Sequence, residues 1–114
     1  MRDFKYEAVK PKTRNELINE LESDDPRTVA NALYAASRYE KDWKWVQDLC
    51  VRFLDSANVE VRWAAATCLG DLAFSRHPLD VLVVEPALER AIKDPTIADP
   101  ARFSLSMVKQ FLGS

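Results

Sequence analysis

His77, Cys50 and Cys68 are the residues of this chain whose types could make or break bonds, since an imidazole and a thiolate serve as base, nucleophile or metal ligand. Their number and placement argue against that use. One histidine and two cysteines do not complete a tetrahedral zinc site. Cys68 falls on the apolar face of an expected helix, whereas His77 stands beside Pro78 in a loop or cap, so a thiol–imidazole pair is not expected. The two glycines, Gly70 and Gly113, leave no glycine-rich loop to cradle a phosphate. The expectation is two buried thiols, a surface or capping histidine, no catalytic residues, no metal and no cofactor.

Binding chemistry is better represented than catalytic chemistry. Trp, Tyr and Arg dominate the energetics of protein–protein contacts, and Tyr34, Trp63, Arg27 and Arg38 stand among polar neighbours. Glu16, Glu20, Glu22, Asp24 and Asp25 form an acidic run, preceded by a tail in which Lys5, Lys10, Lys12 and Arg14 outnumber Asp3 and Glu7. We expect that tail (residues 1–12) to fold back as an arm over the first helix, with Phe4, Tyr6 and Val9 covering its apolar edge. Overall, 16 Lys and Arg oppose 18 Asp and Glu, a net charge of −2. That balance argues against a nucleic-acid binder, which needs a basic excess. No apolar run approaches the ~18 residues of a membrane span and no secretory h-region is visible, so a cytoplasmic protein with no membrane partner is expected.

The elements that position these residues read as helices. Thr13-Arg-Asn-Glu16 is a capping box, and Asp25-Pro26 is an N-cap followed by proline at the first helical position. Apolar positions recur at three- and four-residue spacing, as in Trp43, Val46, Leu49, Cys50 and Phe53. Six helices are expected, grouped in pairs over 13–39, 42–73 and 78–112 within a single domain of 1–114. The fifth starts near Pro78 and is crossed or divided by Pro86; the sixth opens at Asp99-Pro100. Trp43 is expected in the core and Trp45 at its edge. Phe103, Met107 and Phe111 form an apolar surplus on the last helix, either packed by the preceding loop or left for a partner.

Sliding residues 17–39 onto 50–72 superposes apolar on apolar, small on small and cap on cap: Leu21 on Leu54, Asp25 on Asn58, Ala32 on Ala65, Ser37 on Gly70. A two-helix unit of this period is the signature of an α-solenoid. The segment Asn58-Val-Glu-Val-Arg-Trp-Ala-Ala-Ala-Thr-Cys-Leu-Gly-Asp-Leu72 resembles the second helix of a HEAT-like repeat at Val61, Arg62, Ala65, Leu69, Gly70 and Leu72, with Asn58 and Val59 in place of the family's Asp-Pro. The resemblance implies an all-α, short right-handed superhelix of about three helix pairs, whose second helices line one face.

A helical wheel at ~100° per residue puts Val61, Ala65, Cys68, Leu69 and Leu72 on one side of the fourth helix and Glu60, Trp63, Thr67 and Asp71 on the other. The same register in the second helix turns out Arg27, Asn31, Tyr34 and Arg38. These eight residues are the candidate protein-binding surface, with Trp63 as its anchor. The function expected is a non-catalytic binding module, monomeric by itself. Fold and size resemble small bacterial HEAT-like immunity proteins, which implies a toxin domain as partner. An adaptor or assembly factor for another enzyme is the alternative, and a HEAT-like enzyme acting on nucleic acid is the less favoured one.

Overall fold

A computed structural model describes residues 10–112, and the described residues contain six helices and no strand. They are α1 (Arg14–Leu21), α2 (Pro26–Tyr39), α3 (Trp43–Phe53), α4 (Val59–Phe74), α5 (Val81–Ile92) and α6 (Ala98–Leu112). The arm expected over residues 1–12, with Phe4, Tyr6 and Val9, falls mostly outside the described residues. Within them, Lys12 Nζ reaches Glu20 Oε2 at 2.6 Å, so the chain just before α1 does meet its acidic side.

The helix starts follow local side-chain chemistry. Thr13 and Glu16 close a reciprocal capping box, and the side chains of Asp25, Asp42 and Asn58 accept hydrogen bonds from the first-turn amides of α2, α3 and α4. Two starts differ from expectation. Helix α5 begins at Val81 rather than Pro78: the Leu79 N–H first donates to His77 O at 2.8 Å in a tight turn, and Asp80 is the N-cap. The Asp80 N–H donates to the buried Gln47 Oε1 at 2.7 Å, so a side chain from α3 fixes this entry. Pro86 lies inside α5 without dividing it. Helix α6 begins at Ala98, ahead of Asp99. The Asp94 carboxylate holds both the Thr96 amide and hydroxyl, and Ala101 N–H already donates to Ile97 O at 3.1 Å, so the turn has formed before Asp99 is reached.

Helix α1 packs on α2, α3 on α4, and α5 on α6, while α2, α4 and α6 lie side by side with α4 between the other two. The described residues span 34 × 32 × 21 Å, and the short dimension is two helix layers at the usual ~10 Å spacing. Its central place explains the composition of α4. Besides the expected Val61, Ala65, Cys68, Leu69 and Leu72, this helix buries Ala64, Ala66, Gly70 and Ala73. Small residues are required there because neighbours close in from two sides. A Cβ on Gly70 would run into the Ser104 hydroxyl and come within 3.1 Å of the Ser104 Cα. The buried Ser104 Oγ donates to the Ala66 carbonyl, a polar tie that this close approach permits.

Cys50 and Cys68 are both fully buried free thiols. They hydrogen-bond to each other across α3 and α4, and that contact together with burial pushes the Cys50 thiol well up. Trp43 and Trp45 are both half-buried against the core, so Trp43 sits further out than expected. The Arg14 guanidinium lies 3.9 Å from the centre of the Trp45 ring, which accounts for the edge position of that residue.

Candidate protein-binding face

The acidic run of residues 16–25 is largely engaged in local structure. Glu16 completes the capping box, Asp25 caps α2, and Glu20 pairs with Lys12. Glu22 and Asp24 remain exposed.

Six of the eight residues singled out on α2 and α4 meet in three rungs, because the 33-residue period of the sequence becomes a lateral neighbour relation between the two helices. Arg27 Nε contacts Glu60 Oε2 at 3.2 Å. The next rung joins Tyr34 to Thr67 by a side-chain hydrogen bond; burial, acting first, pushes the Tyr34 phenol far up, and the Thr67 bond works against it. Arg38 and Asp71 face one another in the third rung without closing to ion-pair distance. Partial desolvation raises the Asp71 carboxyl above its ordinary value, and the Arg38 charge works in the opposite direction.

Burial is uneven along this face. Arg27, Arg38 and Asp71 are exposed, whereas Asn31, Tyr34, Glu60, Trp63 and Thr67 are intermediate. Asn31 Oδ1 is shielded and has no hydrogen-bond partner. Trp63, the expected anchor, packs against the core cluster as a half-buried side chain. The wheel for α4 took one packed side, but α6 presses on a second. On α6, Phe103 is 63% exposed, while Met107 and Phe111 are half-buried. Of this surplus, Phe103 is left open to solvent.

Sequence reasoning missed the C-terminal end of the same face. An open recess of about 270 Å³ is lined by Ser37, Arg38, Asp71, Phe74, Ser75 and His77. Phe74 is 64% exposed and meets Phe111 edge to face, with ring centres 5.5 Å apart at 84°. Arg76 has φ 63°, a left-handed conformation, and ends α4 with His77 N–H donating to Leu72 O at 3.2 Å. Its guanidinium stands 5.3 Å from the Phe111 ring centre. The usual signal for such a helix end is glycine, and the sequence has arginine there.

On the opposite flank, Arg62 ties three segments together. It pairs with Asp94 at 3.2 Å and donates to Ser56 O at 2.9 Å and to Thr96 Oγ1 at 3.2 Å. The Thr96 bonds, and after them the Arg62 charge, hold the Asp94 carboxyl below its ordinary value. Among the described residues, no group of three or more His, Cys, Asp or Glu side chains comes together as metal ligands, and no helix is long and apolar enough to cross a membrane.

No protein-family model matches this chain, and no curated protein matches it. Among solved structures, it is similar to a chain of the CDI complex from Cupriavidus taiwanensis LMG 19424. The two share 27% identity with a TM-score of 0.84, over 96% of this chain and 98% of the other.

Proposed function

We propose that this chain is an immunity-type protein that binds and blocks a toxin, with no catalysis of its own. The observation that carries the reading is the end-to-end likeness to a chain of a CDI complex, at 27% identity and nearly full coverage of both. We read CDI as contact-dependent inhibition, and this chain as the member that engages a toxin domain. The side-by-side packing of α2, α4 and α6 agrees with that role. It supports the HEAT-like description, in which second helices offer one continuous face. The face we assign to the partner is that of α2 and α4, where the Arg27–Glu60 rung fixes charges in register and leaves Arg38 and Asp71 accessible. The protein acts in the cytoplasm as a monomer until its partner arrives.

The test is protection. The toxin domain of any large protein encoded beside this chain is expressed in a susceptible host, with and without this chain. Restored growth, together with a stable one-to-one complex on size exclusion, is the expected result. A chain that binds the domain without restoring growth is an adaptor instead.

A further inference from the structure

We propose that the recess at the C-terminal ends of α2 and α4 is the docking subsite for the partner, and that it takes an acidic segment carrying an apolar side chain. This rests on the toxin-binding reading and specifies which surface of the toxin is held. The first support is charge. On this face Arg27 is committed to Glu60, as Arg62 on the opposite flank is to Asp94. Among the described residues, Arg38 and Arg76 have no carboxylate within ion-pair distance. Arg38 lines the recess, whose one lining carboxylate is Asp71, and Arg76 stands beside it in the chain between the lining residues Ser75 and His77. Guanidinium groups in a partly desolvated setting select carboxylates and bind them in a fixed planar geometry.

The second support is the aromatic pair. Phe74 is largely exposed, yet it is held from behind by Phe111, which is itself covered by Arg76. An exposed ring kept in one position loses little freedom on contact, which suits it as an anchor. The third is backbone conformation. A left-handed non-glycine residue is disfavoured by roughly 1–2 kcal/mol, and such positions gather at binding sites. Arg76 holds this conformation between Ser75 and His77, with its guanidinium beside the Phe111 ring that backs Phe74. A cation-lined substrate cleft, as in a nuclease, is repelled by this recess. The toxin is therefore held by an acidic-apolar surface rather than through such a cleft.

The probe is the same toxin domain, titrated calorimetrically against the full chain. Phe74→Ala, Arg38→Glu and Arg76→Gly are all surface changes, and their melting curves are recorded beside the binding curves. We expect each to weaken binding by at least ~10-fold and the two charge changes to flatten its salt dependence. Arg76→Gly is expected to do so while raising thermal stability, which separates lost binding from lost folding. Charge reversal at Glu20 and Glu22 on α1 is expected to leave affinity unchanged. Affinities within ~3-fold of the unaltered chain for all three variants overturn the subsite and leave the toxin-binding reading standing. Tighter binding by Arg38→Glu overturns it in favour of a basic partner surface. No binding by the unaltered chain overturns the toxin-binding reading, and the subsite with it.

Discussion

A tight steric constraint sits at one residue. At Gly70 α6 comes close to α4, and any side chain there meets the Ser104 backbone as well as its hydroxyl. Gly70→Ala therefore has to push two helices apart, and overpacking of this kind costs about 1–3 kcal/mol. Urea denaturation should show that loss, and a second change, Ser104→Gly, should recover part of it because the two sites share one contact. Single residues also set the response to acid. Glu16, Glu40 and Asp94 titrate below their ordinary values, held chiefly by bonds from Thr13, Arg14 and Thr96 respectively. A depressed carboxyl stabilises the fold above its unfolded pKa, and that contribution disappears as pH falls through the folded value. Asp71 is raised, so its charged form is disfavoured in the fold, and the disadvantage vanishes on protonation. Asp71→Asn should accordingly raise the urea midpoint at about pH 7 and leave it unchanged near pH 3, where the carboxyl is protonated in both states.

At the scale of elements, α4 decides the fold. Leu69 is fully buried in it, between neighbours on both sides. Leu69→Ala should cost about 2–5 kcal/mol in chemical denaturation, because a central helix pinned by α2 and α6 has little room to collapse into the cavity. Helices could be read from the sequence where the deciding chemistry is local. Thr13, Asp25 and Asn58 cap the helices they were expected to cap, since a cap needs only its own side chain and the next few amides. Starts set by distant residues could not be read in this way. The entry to α5 depends on Gln47, more than thirty residues earlier, and α6 begins early through the Asp94–Thr96 turn. Trp63 was legible as a surface aromatic but not as half-buried, because its cover comes from packing that one wheel does not contain. The recess at Phe74 and Arg76 left no sequence signal, its helix-ending residue being arginine rather than glycine.

For the whole molecule, the consequence of stacking is that no pair is self-sufficient. The heaviest contact in the fold joins α4 to α6, helices of different pairs, rather than two helices of one pair. Ser104, Ala101 and Val108 of α6 are all buried. Deleting residues 98–112 should therefore remove more helix than α6 contains, because Ala66 and Gly70 of α4 lose their cover. Far-UV circular dichroism of the truncated chain measures this directly; a loss confined to fifteen residues' worth of helix would show that the remaining pairs stand alone.

Cys50 and Cys68 give the same molecule a built-in clock. Both sulfurs are sealed from solvent, one on α3 and one on α4, so an aromatic disulfide reagent can reach them after the second pair has parted, and not before. The rate of thiol labelling under native conditions then reports how often that seam opens, without denaturant and without an engineered reporter group. If a toxin seats on the neighbouring helices, its binding should slow the clock, turning two chemically silent side chains into a readout of engagement.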